Sequence, residues 1–293
     1  VLIAILLGIL MGNAFTPRPG MMVGLDFTQQ YILKLGIIFL GIRLSFADLF
    51  KFGSVAIPLV IFCVLGVLLL IKLLIKKVPI SSKMSYLIAI GTSVCGATAI
   101  VATAPVINAK KTEVAYAIAN ITLFGVIAML VYPYFAEWYF DNNALEAGLF
   151  LGTSIHETSQ VAAAGLIYDQ QFNNPETLDV ATVTKLIRNT FLVILIPLFA
   201  FLYNRGELKE QKYSILSIFP YFVIGFIGMI IVRNLGDQFF SVQADNFYAW
   251  SKFIEYLKIL ATVFLTMAMA AVGISINLSE LKSMGYKPFV VGL

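Results

Sequence analysis

Charge is what this sequence has least of. Lys, Arg, Asp and Glu make up only 12% of its 293 residues, against about 25% in soluble domains. It has one histidine, His156, and two cysteines, Cys63 and Cys95. A disulfide framework is therefore not expected. A zinc site is not expected either, because there is no second histidine and the cysteines show no ligand spacing. No GxxxxGK[ST] loop occurs, which excludes an ATP-driven pump built from this chain alone. The net charge of +4 resides in loops and points to membrane anchoring, not to nucleic acid. No cofactor is expected.

Apolar residues take the place of charge, at 60% of the chain, with a mean hydropathy of +0.91. No soluble fold of this length hides so much apolar surface. Phe52–Ile71, Met84–Ala109, Val114–Ala136, Ser214–Val232 and Ile259–Ser279 each lack a formal charge. Each reaches the roughly 20 residues a helix needs to cross about 30 Å of hydrocarbon. The runs are continuous, not alternating, so membrane strands are excluded. The fold class is an all-α polytopic membrane protein of about 10 segments, forming a single domain over residues 1–293. Nine segments are delimited at 1–15, 30–46, 53–75, 85–107, 113–136, 146–168, 181–203, 214–234 and 253–277, and a tenth starts near Pro288. Val1–Met11 lacks the basic region of a signal peptide and reads as a helix remnant. The start without methionine and the end within Phe289–Leu293 lead us to expect incomplete terminal helices.

Loop charge assigns sides. Lys72, Lys76, Lys77 and Lys83 precede segment 85–107, and Lys110 and Lys111 follow it. Both links read as cytoplasmic. Glu137, Asp141 and Glu146 precede segment 146–168, and Asp169, Glu176 and Asp179 follow it. Both read as external, as basic links at Arg205, Lys209, Lys212 and at Lys282, Lys287 read as cytoplasmic. Two segments thus have both flanks on one side. They are expected to be re-entrant or broken near the midplane, entering from opposite faces. Irregular backbone at that depth must line a polar cavity or be buried in protein.

The same two segments resemble each other. One contains Gly91-Thr92-Ser93-Val94-Cys95-Gly96-Ala97-Thr98, the other Gly152-Thr153-Ser154-Ile155-His156-Glu157-Thr158-Ser159-Gln160. A weaker pair is Gly41–Leu49 against Gly273–Leu281. Opposed orientation within each pair suggests inverted repeats, although their mirror order along the chain (30–46 and 85–107, then 146–168 and 253–277) is not that of one tandem duplication.

Glycine lets the backbone leave the helix, and a new half-helix presents free N–H groups carrying about half a positive charge. Two such ends meeting make an anion site. Ser93, Cys95, Gly96, Thr98, Ser154 and Thr158 are the candidate lining. Packing of small residues and hydroxyls bonded back to helix carbonyls is the structural alternative. Adjacent His156 and Glu157 are candidates for carrying a proton, since ionisable groups in a membrane mark ion pathways. A structural hydrogen bond is the alternative. Lys185 and Arg188, at i and i+3, share a helix face and would attract the anion; the alternative is snorkelling or pairing with Asp179. Arg43 is similar, with Asp48 as its local partner. Lys34 reads as an interfacial anchor.

Through Ser93–Ile100, Ser154–Val161, Lys185-Leu186-Ile187-Arg188 and Gly41–Ser45, nearly the whole chain resembles the sulfate exporter family of conserved bacterial membrane proteins. The family pattern after His-Glu is Val-Ala-Gln. Thr158-Ser159 stands there instead and makes this site more polar. The resemblance implies membership of the cation–proton antiporter and anion transporter superfamily, with inverted repeats, interrupted helices crossing near the midplane, and a place in the bacterial cytoplasmic (inner) membrane.

The function expected is secondary transport, as an exporter, of a small oxyanion such as sulfate or a sulfonate, coupled to protons through His156 and Glu157. Its partners are the small anion and the lipid bilayer, and a homo-oligomer is compatible with this class. An anion channel and a sodium-coupled symporter use the same features and stay open. An intramembrane enzyme built on Ser154, His156 and Glu157 is disfavoured, because neighbouring helix residues point about 100° apart.

Overall fold

The computed structural model describes residues 1–15, 18–74, 81–105, 107–195, 221–240 and 244–276. Every regular element among them is helical. The links at Lys76, Lys77, Arg205, Lys209, Lys212, Lys282 and Lys287, the tenth segment, residues 196–203 and 214–220 and the Asn277–Leu281 part of the weaker repeat lie outside the described residues.

Five stretches are long and apolar enough to cross a membrane: Pro19–Arg43, Phe46–Leu70, Lys111–Phe140, Phe222–Phe240 and Phe247–Ser275. The first is a composite. Helix α2 (Pro19–Phe27) runs through a π turn (Thr28–Ile32) into α3 (Leu33–Leu40) and a 3₁₀ turn (Gly41–Arg43). It starts eleven residues before the expected boundary at 30, because Pro19 is a good first helical residue. The π turn carries Gln29, whose Nε2 donates to Ala271 O at 3.1 Å and Ser275 Oγ at 2.7 Å. A polar side chain fixed across an interface is a common companion of such turns.

The remaining long helices are α4 (Phe46–Leu74), α7 (Lys111–Phe140), α11 (Phe222–Phe240) and α12 (Ala244–Ser275). The short α1 (Leu2–Ala14) packs on α12. The contact is glycine on glycine. A Cβ on Gly8 would stand 2.5 Å from Ala270 O, and one on Gly273 2.5 Å from Ile5 O. Without a hydrophobic effect between helices in lipid, close backbone approach supplies the attraction.

The two segments expected to be broken are broken, and at equivalent places. Helix α5 (Ser82–Ser93) stops at the serine of Gly-Thr-Ser, and α6 (Ala97–Thr103) begins after Val94-Cys95-Gly96. Helix α8 (Ala144–Ser154) stops at the serine of the second Gly-Thr-Ser, and α9 (Thr158–Phe172) begins after Ile155-His156-Glu157.

Both broken segments double back. Lys83 Nζ at the start of α5 donates to Asn108 O beyond α6 at 2.7 Å. Ser81 Oγ donates to Glu113 Oε1 at 2.5 Å, and Glu113 Oε2 accepts from Lys110 N at 2.8 Å. Both ends of this hairpin therefore sit at the first turn of α7. At the far end of α7, Asn174 Nδ2 beyond α9 donates to Asn142 O at 2.9 Å and Asn142 Oδ1 at 2.8 Å, just before α8. Asp141, Asn142 and Asn173 turn the chain there with φ of 50°, 59° and 54°, a conformation Asn and Asp tolerate. Helix α7 spans about 45 Å between the two mouths, so the two hairpins open at opposite ends of α7.

Helix α10 (Pro175–Thr190) lies between them. It packs on α4, α8 and α9, with Leu178, Val180, Val183 and Leu186 in the core. Ten residues separate Pro175 from Lys185, about 15 Å of helix, or half the hydrocarbon thickness. The tips of the hairpins and the cations of α10 thus meet at one depth.

Candidate functional site

The site begins with the broken ends. A helix that stops inside a membrane leaves carbonyls without partners, and each costs several kcal/mol in lipid. Lys185 and Arg188 supply the donors. Lys185 Nζ donates to Val94 O at 2.8 Å, to Ile155 O at 3.0 Å and to His156 O. Arg188 donates from Nε to Ser93 O at 2.8 Å, from Nη1 to Thr153 O at 2.5 Å, and from Nη2 to Thr92 O. Each cation bridges both breaks. Lys185 is 0% and Arg188 2% exposed. Two half-helix C-termini, each carrying about half a negative charge, are thereby neutralised and tied together.

The two side chains expected to attract the anion thus point at backbone carbonyls. Neither lines the cavity beside the crossing, and their donors are spent on backbone. They do not pair with Asp179 either. That carboxylate holds Arg43 at 2.6 Å, with side chains 12% and 16% exposed, while Asp48 accepts instead from Ser45 N at 2.9 Å and Ser45 Oγ at 2.7 Å.

The cavity has a volume of about 550 Å³, within the range of small-molecule sites. Cys95 and Thr98 line it from the first hairpin, and Glu157, Thr158 and Ser159 from the second. Asn189 follows Arg188 on α10, and Gln29, Gln30 and Lys34 reach in from the composite helix. Among the candidates, Cys95, Thr98, Glu157 and Thr158 are thus brought together. Ser93, Ser154 and His156 are not part of the lining. Ser93 Oγ donates to Ala89 O at 2.7 Å, the back-bonded alternative. His156 faces protein: its Nδ1 is buried with no hydrogen-bond partner among the described residues.

Gly96 turns the first break with φ 66° and ψ −126°, and a Cβ there would stand 2.8 Å from Glu157 Cγ. Glu157 in turn accepts from Ala97 N. The second break thus inserts a carboxylate at the N-terminus of the first hairpin's inner helix. Helix α9 keeps its own N-terminus free of such a cap: Glu157, its N-cap residue, makes no side-chain bond to it. The N–H groups of its first turn stand beside the lining residues Thr158 and Ser159.

Asn189 is the residue that sequence reasoning missed. It is 2% exposed, and its Nδ2 donates to Thr158 Oγ1 at 2.9 Å. Its Oδ1 is buried without a partner among the described residues. A side-chain amide this far inside an apolar segment is itself a signal of a polar cavity. The Gln29-Gln30 pair carries the same signal.

The Arg43–Asp179 pair joins the composite helix to α10, with Arg43 Nη2 also donating to Pro175 O at 3.1 Å. Its Asp179 lies near the N-terminal end of α10, six residues before Lys185. Replacing either partner by alanine is expected to lower the unfolding free energy by about 2–3 kcal/mol, because a mostly buried charge is left alone. The double substitution should cost less than the sum, with a coupling of about 2 kcal/mol. A thermal-unfolding double-mutant cycle measures this; additive losses would mean the pair contributes nothing of its own.

Residues 1–292 match the family described as conserved hypothetical protein 698. The UPF0324 membrane protein of Streptococcus agalactiae serotype V is 34% identical over 99% of this chain and 83% of its own length. That of Fusobacterium nucleatum is 34% identical over 98% of this chain and 84% of its own. That of Pasteurella multocida is 35% identical over 99% and 82%. No solved structure matches the chain.

Proposed function

Because the chain belongs to this family, described as conserved hypothetical protein 698 and represented by the UPF0324 membrane proteins, it is a membrane protein, and we propose that it is a secondary transporter of a small oxyanion such as sulfate or a sulfonate. One observation carries the reading: two buried cations and two half-helix N-termini converge beside one cavity. The two C-termini contribute about one negative charge and the two N-termini about one positive, which cancel. Lys185 and Arg188 against Glu157 leave about one positive charge net. A low-dielectric site with that balance favours an anion.

The proposal keeps the sulfate exporter resemblance and its inverted-repeat, crossed-helix superfamily, and takes the chain as a single transport domain of about 10 segments in the bacterial cytoplasmic membrane. An inside-negative potential assists outward movement of an anion by about 2.3 kcal/mol per charge per 100 mV. Lys185 and Arg188 act through their field and by holding the crossing. Thr98, Thr158 and the first turn of α9 contact the anion. Glu157 is the exchangeable charge: a proton on it raises the net positive charge by one, so proton and anion strengthen each other's binding. His156 positions the second break through its carbonyl. Rocking of the helices around the hairpins against the composite helix would expose the cavity to alternate sides.

The test is flux into proteoliposomes of sulfate, sulfite and alkyl sulfonates, with and without a pH gradient. Wild type should move at least one of them, faster with the gradient. Glu157→Gln should abolish the gradient dependence and slow coupled flux at least about tenfold, the rate equivalent of 1.4 kcal/mol. Absence of movement of every anion under every gradient would refute the proposal, and fast flux indifferent to any gradient in wild type would identify a channel.

A further inference from the structure

Resting on the transporter reading, we infer that the substrate is a zwitterion: an oxyanion that also carries an amine. Unless it carries a proton, Glu157 meets a bare anion with like charge. Glu157 lines the cavity and makes no ion pair within 4.0 Å among the described residues. Its one hydrogen-bond partner there is the Ala97 backbone N–H, while Lys185 and Arg188 point their donors at carbonyls. Asn189 lines the same space on a side chain 2% exposed, and its Oδ1 is buried without a donor among the described residues.

A carboxylate lining the cavity asks for a donor with positive charge. A sulfate dianion would lie against it with oxygen facing oxygen. An ammonium group satisfies it, and a small shift of Asn189 would let its buried Oδ1 accept from the same group. The anionic end of the same molecule then meets the first turn of α9 and the hydroxyl of Thr158, with Lys34 at the exposed part of the lining. The volume agrees. At about 30 Å³ per water, a cavity of about 550 Å³ is larger than a tetrahedral oxyanion requires and accommodates a short chain between the two charged ends. The ammonium also takes over the part a proton plays for a bare anion, as the counter-charge of Glu157.

A site whose buried acceptors expect a donor rejects the analogue lacking it, by up to about 10⁴–10⁵ when fully enclosed. This cavity opens beside Lys34, which is exposed, so about 10²-fold is expected. The experiment measures binding of 2-aminoethanesulfonate and of ethanesulfonate to the purified full chain by calorimetry. Wild type should prefer the amine about 100-fold. Glu157→Gln and Asn189→Leu, each checked for an unchanged unfolding temperature, should bring the ratio to within a few-fold of one. Equal or tighter binding of ethanesulfonate to wild type overturns the inference, as does a preference that survives in both variants. The transporter reading is judged separately: it survives if 2-aminoethanesulfonate, ethanesulfonate or sulfate is moved by proteoliposomes, and falls only if none of them moves.

Discussion

Arg188→Met is expected to unfold this protein. The guanidinium is 2% exposed and donates to carbonyls of both breaks, Thr92 and Ser93 on one side and Thr153 on the other. Hydrogen bonds from a charged donor contribute about 1.5–3 kcal/mol each. Methionine fills the volume but leaves three carbonyls without donors in a membrane interior. A loss of about 5 kcal/mol follows, comparable with the total stability of many proteins, and a fall of the unfolding temperature by about 10 °C or more. Lys185→Met should behave alike, since its ammonium serves Val94, Ile155 and His156. Arg188→Lys separates charge from geometry. It keeps the positive charge but loses the guanidinium's rigid fork of donors, so it should recover about half of the loss. Thermal unfolding in detergent reads all three. A methionine variant as stable as wild type would show that water, not the cation, satisfies the broken ends.

Gly96→Ala should be nearly as damaging, for a different reason. A side chain at φ 66° and ψ −126° is strained by about 1–2 kcal/mol before any contact is counted. The added carbon would then stand 2.8 Å from Glu157 Cγ and 3.3 Å from Ile121 Cγ2. Overpacking of this kind costs about 1–3 kcal/mol. The sum is about 2–5 kcal/mol, and any relaxation must displace Glu157. Transport per folded molecule should therefore fall at least about tenfold even where the variant still folds. Gly20→Ala is the control. It lies in α2 with nothing within 4 Å of an added Cβ, and should be neutral or stabilising by up to about 1 kcal/mol. Equal effects at the two positions would remove the argument for a built bend at Gly96.

Both expectations rest on features of unequal visibility. The breaks were legible because they are local. Gly-Thr-Ser followed by a short irregular stretch appears twice in the sequence, and like charges flank each copy. Lys83 beside Asn108, and Asn142 beside Asn174, are the structural counterparts of those same-sign links. Lys185 and Arg188 were legible as cations sharing one helix face, with inward burial and snorkelling both open. Their partners were not. Backbone carbonyls have no sequence identity, so nothing distinguished them from a dissolved anion as the acceptor. Asp179 posed the same problem: Lys185, Arg188 and Arg43 were all plausible cations for it by type, and only Arg43 reaches it.

From sequence alone follow the membrane as solvent, the helical class and the two interruptions. These are set by hydropathy, by glycine and by loop charge, each of which acts over a few residues. Tertiary structure alone decided that Lys185 and Arg188 face inward to bind the two breaks, that Glu157 crosses to the opposite hairpin, and that Asn189 with the Gln29-Gln30 pair completes a cavity. Those contacts join residues roughly 30 to 160 positions apart in the chain. Their energies depend on where rigid helices meet, and no local pattern encodes that.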